Sequence, residues 1–298
     1  MKRVRYLLVD GNNLAFRCFY GVKLPPRPTA MPTHAIYGFL NSLLTIAQHV
    51  QADYRIVCFD CGRSQRRMQI LPAYKSNRPP TPEDFKVQMP PIKQLIMCMG
   101  GVCCEQAGVE ADDCLAGWAA FAAQAQESAV LVSADKDLMQ CVGAFVSQLI
   151  PTKEGWQWID ADGVVKKFGV APEQIVDFLA LMGDASDHYE GIPGVGPKTA
   201  AHWLQQYRSI EGIYDHLEEI QPKRFQPILQ QSRALLQRNR SLAAMDPSLE
   251  FQSLRHLLKS AQPDWDAFEA LMERLQLGRL AKKFHTDAPP MLQQSALF

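Results

Sequence analysis

Nine acidic residues in five short segments are the part of this chain best suited to chemistry: Asp10; Asp60; Glu110, Asp112 and Asp113; Asp135 and Asp137; Asp184 and Asp187. The segments holding Asp10, Asp60 and Asp135 each follow an apolar run (residues 6–9, 54–59 and 129–132) that reads as a buried strand. Acids at the carboxyl ends of parallel strands share the sheet edge where ligands of such sheets sit. Taken singly, an acid there is equally well a helix cap. Asp112 and Asp113, for instance, open an Ala-rich helical stretch whose dipole favours them. Taken together, like charges in one cleft repel and raise one another's pKa. Divalent cations are the ordinary stabiliser of such a cluster, and an all-oxygen ligand set favours Mg²⁺ or Mn²⁺ over Zn²⁺. Two such ions about 3.5–4 Å apart can clamp the attacking and leaving oxygens of a phosphodiester.

The elements that must position these acids are legible from periodicity. Residues 3–9, 54–59, 101–104, 129–132, 145–150 and 156–159 read as strands. Residues 14–20, 35–50, 90–99 and 111–126 read as helices, and the pattern from 172 onward is mostly helical. Strands alternating with helices predict an α/β fold with a mostly parallel central sheet. A length of 298 residues allows one large domain or two small ones. No apolar run approaches the ~18 residues of a spanning helix, so no membrane partner is expected. The eight cysteines without an export signal suggest free thiols in a reducing cytoplasm. Cys58-Phe59-Asp60-Cys61 has no second, suitably spaced pair and reads as buried cysteine rather than zinc ligand.

The formal net charge of zero argues against a uniformly basic nucleic-acid binder. The average hides a pattern. Arg63, Arg66, Arg67, Lys75 and Arg78 fall within sixteen residues that hold no acid. Setting the nine acids aside leaves 22 acidic against 31 basic residues, so the rest of the surface offers phosphate a positive rim. The string Gly191-Ile192-Pro193-Gly194-Val195-Gly196-Pro197-Lys198-Thr199-Ala200 lies between helical patterns. Gly194 and Gly196 let backbone amides approach a phosphate with no Cβ in the way, and the helix start that follows adds its dipole.

Six motifs occur in order: Val9-Asp10-Gly11-Asn12-Asn13; Cys58-Phe59-Asp60; Tyr74-Lys75-Ser76-Asn77-Arg78-Pro79-Pro80; Val109-Glu110-Ala111-Asp112-Asp113; Ser133-Ala134-Asp135-Lys136-Asp137-Leu138; and Gly183-Asp184-Ala185-Ser186-Asp187 with the Gly-rich string. Together they closely resemble the bacterial and phage 5′-nuclease (flap endonuclease) family, which includes the N-terminal domain of bacterial DNA polymerase I. The resemblance runs from Lys2 to about Ile220. It implies a PIN-like nuclease core over residues 1–187 with a basic arch at about 61–90, a helical DNA-binding region over 188–287 with a helix–hairpin–helix (helix–three-turn–helix), and a flexible tail over 288–298. It implies a first metal site at Asp10, Asp60, Glu110, Asp112 and Asp113, and a second at Asp135, Asp137, Asp184 and Asp187. Lys75 and Arg78 match residues that reach the scissile phosphate. Arg17, Arg67, Tyr74, Gly194, Gly196 and Lys198 are implied DNA contacts, with Tyr74 placed to stack on a base. K⁺ at the hairpin carbonyls is a further implication. His188, Glu190 and Pro197 depart from the family pattern, which has Asn, Pro and Glu there.

The reading that follows is a structure-specific 5′-nuclease, with 5′–3′ exonuclease and flap endonuclease activity on DNA in replication and repair. It is expected to be monomeric and to act on 5′ flaps or free 5′ ends. The alternatives are a PIN-type ribonuclease, which would lack the basic arch and the Gly-rich hairpin, and a non-catalytic branched-DNA binder, which would not need all nine acids. The chain stops at residue 298, so it reads as a free-standing nuclease or a piece of a longer chain. Its last residues, Gln294-Ser295-Ala296-Leu297-Phe298, resemble the Gln-x-x-Leu-Phe peptide by which bacterial replication proteins dock onto the sliding clamp. Gln294, Leu297 and Phe298 would carry that contact.

Overall fold

The computed structural model describes residues 2–23, 31–246, 258 and 262–286. The first apolar run forms β1 (Lys2–Asp10), and β2 (Val50–Cys58) pairs parallel to it. With β3 (Val102–Cys104), β4 (Ala129–Val132), β5 (Val146–Thr152) and β6 (Gly155–Ile159) they build one six-stranded sheet in the order β3-β2-β1-β4-β5-β6. All pairings are parallel except the edge pair β5–β6. The expected mostly parallel α/β sheet is therefore present.

Side chains alternate across a strand, so β1 feeds two layers. Leu7 and Val9 pack with α1 (Gly11–Gly21), α2 (His34–His49) and α5 (Met89–Cys98), the last of which follows α3 (Gln65–Ile70) and α4 (Glu83–Lys86). Tyr6 and Leu8 pack with α6 (Ala111–Gln124) on the opposite face. Both faces are covered, which is why the strands read as continuous apolar runs. Among the described residues no helix is long and apolar enough to cross a membrane.

A second apolar core gathers α7 (Ala161–Phe168), α8 (Ile175–Met182), α9 (Pro197–Tyr207), α10 (Ile210–Asp215), α11 (Phe225–Gln231) and α12 (Arg233–Ala243). Val164 and Val170 already belong to this second core, so helical packing begins well before residue 187. The last described helices, α13 (Trp265–Arg274) and α14 (Gly278–Thr286), return to the first core, where Phe268, Leu271, Met272 and Phe284 are buried.

Between α8 and α9 the chain makes a two-residue ribbon of β7 (Gly183–Asp184) and β8 (Tyr189–Glu190). Glycine is required at its base. Gly183 has φ +74, and a Cβ there would stand 2.2 Å from the Gly191 nitrogen.

Candidate active site

Asp10 is the last residue of β1 and the N-cap of α1. Its Oδ1 accepts from the Asn13 N–H at 2.9 Å and its Oδ2 from the Ser133 hydroxyl at 2.8 Å. Gly11 lies under Phe59, whose ring would be 2.3 Å from any Cβ. The two asparagines after it tie strand exits together. Asn12 Oδ1 accepts the Asp60 N–H (3.1 Å), and Asn13 Oδ1 accepts the Ala134 N–H (3.3 Å). Asp60 Oδ1 in turn accepts the Ala111 N–H (2.8 Å) at the start of α6, beside Glu110, its N-cap. After β4, Ser133 Oγ accepts the Asp135 N–H, and Asp135 Oδ1 accepts the Asp137 N–H. Three strand ends and one helix start thus present acids as one linked edge.

The charges press on one another. Burial, with the charges of Asp60 and Asp135 behind it, pushes Asp10 up to about 7 despite its two hydrogen bonds. Burial and the charges of Asp10, Asp135 and Asp60 carry Asp112 well above the carboxylate range. Burial and Asp135 push Asp137 up to about 8. Asp137 Oδ1 is buried with no hydrogen-bond partner. Asp184 goes the other way: against burial, hydrogen bonds from Ser186 and Lys136 hold it below the usual value.

Internal cations answer part of this charge. Arg67 is 3% exposed and uses every guanidinium donor. Nη1 donates to Glu110 Oε2 (2.9 Å) and Asp113 Oδ2 (2.6 Å), Nη2 to Asp113 Oδ1 (2.9 Å) and the Ala244 carbonyl (3.3 Å), and Nε to the Leu242 carbonyl (2.9 Å). This corrects one expectation: Arg67 is a buried strut between α3, α6 and the end of α12 rather than a DNA contact. Asp113 has both oxygens in Arg67's fork and shares its Nη1 with Glu110. Tyr74 is corrected as well: it is 2% exposed, and its hydroxyl donates to Asp187 Oδ2 (2.9 Å) and Glu110 Oε2 (3.2 Å), so its ring is not free to stack on a base.

Residues 61–90 do not stand off as an open arch. Residues 73–78 fold onto residues 185–188. The Lys75 N–H donates to the Asp187 carbonyl (3.1 Å), Asn77 to the Ala185 carbonyl (2.9 Å) and Arg78 to Asp187 Oδ1 (2.8 Å). Lys75 Nζ meets Glu110 Oε1 at 2.8 Å. His188, one of the departures from the family pattern, has its Nδ1 2.7 Å from Ser76 Oγ and 3.1 Å from the Ala73 carbonyl. Lys75 and His188 both sit in left-handed backbone, φ +52 and +63, and such strain concentrates at functional sites.

The Gly-rich string closes a turn, with the Val195 N–H on the Ile192 carbonyl, and opens α9. Gly194 (φ +79) and Lys198 are exposed at its tip. Arg17 is exposed on α1 with its guanidinium 5.7 Å from the Trp156 ring centre. Gln294, Leu297 and Phe298 lie outside the described residues.

Among the described residues, no group of three or more His, Cys, Asp or Glu side chains is spaced to ligate a metal as it stands. Four of the acids are held by Arg67, Lys75, Arg78 and Lys136. The chemistry of the set nonetheless fits a hard divalent cation: only carboxylate oxygens, pKa values raised by burial first and by neighbouring acids after it, and an orphaned buried oxygen on Asp137.

Several positioning residues escaped sequence reading. Ser133, Lys136, Asn12 and Asn13 lie inside the motifs but are silent about which atoms they hold. Gln148, fully buried, donates to the carbonyls of Ser133 (2.9 Å) and Asp135 (2.7 Å). Its one signal is an amide side chain among the apolar residues Val146, Leu149 and Ile150 of β5.

Comparison with known proteins agrees with this geometry. The family described as 5′-3′ exonuclease, N-terminal resolvase-like domain, matches residues 5–169, and 5′-3′ exonuclease, C-terminal SAM fold, matches 170–266. The chain is 34% identical over 278 residues to a 5′-3′ exonuclease of Aquifex aeolicus, covering 93% of each. It is 36% identical over 293 residues to the thermostable DNA polymerase I of Thermus thermophilus, covering 98% of this chain and 34% of the polymerase. It thus spans about a third of that polymerase's length. The solved bacteriophage T5 D15 flap endonuclease, in complex with DNA and metal ions, shares the fold at TM-score 0.64 and 23% identity, over 98% of this chain and 100% of that one. Two family models running from residue 5 to residue 266, and a relative matched along nearly its whole length, agree with the edge of strand-end acids: the chain belongs to the 5′-3′ exonuclease family.

Proposed function

We propose that the protein hydrolyses DNA phosphodiester bonds at 5′ flaps and free 5′ ends with divalent cations, Mg²⁺ or Mn²⁺, two or more. One observation carries the reading: Glu110 at the start of α6 and Asp187 in the β7–β8 ribbon, close enough to the strand-end acids Asp60 and Asp135 for their charges to be felt there, meet Lys75 and Arg78 on one short turn. The Aquifex relative named a 5′-3′ exonuclease, and the T5 enzyme solved with DNA and metal ions, support it.

Asp10, Asp60, Glu110 and Asp112 would hold one cation, and Asp135, Asp137, Asp184 and Asp187 another, while Asp113 stays with Arg67. The cations, when bound, supply an acidified water and offset charge on the phosphate. The rest is the work of the chain's own groups. Lys75 and Arg78, which meet Glu110 and Asp187, would stabilise the charge that the phosphate oxygens gain. The water's oxygen bonds to phosphorus and the bond to the 3′ oxygen breaks. That oxygen takes a proton, leaving 5′-phosphate and 3′-hydroxyl ends. The turn at exposed Gly194 and half-buried Gly196, with Lys198, would grip a duplex phosphate without reading sequence.

Mg²⁺-dependent cleavage of labelled 5′-flap DNA, beside the matching RNA hairpin and plain duplex, tests this. Preferred cleavage of RNA would favour a PIN-type ribonuclease, and cleavage of none a DNA-structure binder. Monomeric state, K⁺ at the hairpin carbonyls, a cytoplasmic location, and clamp docking through Gln294, Leu297 and Phe298 belong to the same proposal. Calorimetry of peptide 291–298 against the sliding clamp, beside a Leu297→Ala, Phe298→Ala peptide, checks the docking.

A further inference from the structure

We infer that Gln148 is a positioning residue that sets where Asp135 and Asp137 stand, and through them how tightly the site takes a divalent cation. The inference rests on the proposed metal-dependent reading.

The geometry is specific. β4 pairs with β5 only as far as Val132, opposite Leu149. Beyond that point the chain leaves the sheet and must turn back to deliver its acids, so its carbonyls lose ladder partners inside the protein. Gln148, opposite Leu131 in the register, replaces them. Its Nε2 has two hydrogens, and they go to the carbonyls of Ser133 and Asp135, the residues that flank the turn. From the far side of the same loop Gln140 donates to the Asp137 carbonyl (2.9 Å) and to that of Ala243 (3.1 Å). Ser133, fixed by Gln148 through its backbone, hands the constraint on: its hydroxyl donates to Asp10 and accepts the Asp135 N–H. One buried amide thus registers the β4 exit against the β1 exit. An apolar side chain of the same length would fill the space and leave two carbonyls unpaired, and the loop would relax to satisfy them.

Groups that orient metal ligands typically change metal affinity by about 10- to 100-fold when removed. The test is calorimetric binding of Mn²⁺ to the DNA-free 298-residue chain, for wild type, Gln148→Met and Gln174→Met. Gln174 is the control for loss of a bridging amide away from the acids: its Nε2 also bridges two carbonyls, those of Leu204 (2.9 Å) and Arg208 (2.8 Å), in the second core, where the side chain is half-buried and its Oε1 accepts the Ala171 N–H. Gln148→Met is expected to bind Mn²⁺ about tenfold more weakly. Gln174→Met is expected to lose thermal stability yet bind within about twofold of wild type. Should Gln148→Met not fold, Gln148→Asn, whose shorter amide reaches one carbonyl at most, is expected to bind several-fold more weakly. Unchanged affinity in a folded Gln148 variant, or an equal loss in Gln174→Met, overturns the assignment. A wild-type protein that binds no Mn²⁺ overturns the metal-dependent reading beneath it.

Discussion

Lys75 Nζ donates to Glu110 Oε1 at 2.8 Å and so ties the basic turn directly to the start of α6. Although burial opposes the charge, Glu110 and Asp187 together raise the Lys75 pKa, so the ammonium stays charged. A substrate phosphate competes for that ammonium. Lys75→Ala should lower the single-turnover rate on flap DNA by about 100-fold, as for loss of a donor to developing negative charge. The Kd for DNA should change far less. A fall in affinity alone would make Lys75 a steering charge.

Arg67 offers a stability prediction. Arg67→Met strands Asp113 and Glu110, both nearly buried, without their shared cation. Removing one partner of a buried pair costs about 3–5 kcal/mol. Urea unfolding should show a loss of that order, and Arg67→Met with Asp113→Leu should recover much of it. A loss below about 1 kcal/mol would mean the strut carries little.

The raised acids set a pH dependence. In the folded chain Asp10 titrates near 7 and Asp137 near 8, while unfolded aspartates titrate near 3.8. Between those values the folded state holds more protons, so metal-free stability falls as pH rises through that window. The melting temperature in EDTA should therefore be higher at pH 6 than at pH 8.5. Millimolar Mg²⁺ should raise it most at the higher pH, where the ligands are ionised. A flat profile in EDTA would contradict the clustering.

The strand spans and the acids that follow them were legible because both rest on local pattern, apolar runs ending in Asp10, near Asp60 and near Asp135, whereas the order β3-β2-β1-β4-β5-β6 rests on long-range pairing that no local pattern states. What Arg67 and Tyr74 do was not legible. Their types suit DNA contacts, and only the fold reveals that α12 and the β7–β8 ribbon cover them. That both oxygens of Asp113 go to Arg67 was hidden for the same reason, since spacing along a helix start does not say which acid a distant arginine will take. The return of α13 and α14 to the first core was hidden because helical periodicity names a buried face and not the surface it meets.

Gly183 anchors the ribbon that carries Asp184. Gly183→Ala would put a Cβ 2.2 Å from the Gly191 nitrogen in left-handed backbone. The variant should lose about 3 kcal/mol or more of stability and lose turnover with it. A normal melting curve with normal cleavage would show that the ribbon yields easily.

The most direct measurement is cleavage of labelled 5′-flap DNA in Mg²⁺ by wild type, Asp135→Asn and Asp184→Asn, with DNA binding measured in parallel. The two acids come from different cores, one after β4 and one in the ribbon. Turnover should fall by several orders of magnitude in both variants. DNA binding should persist, because removing negative charge does not weaken attraction to phosphate. Near-wild-type turnover in both would contradict a nuclease built on this edge of carboxylates.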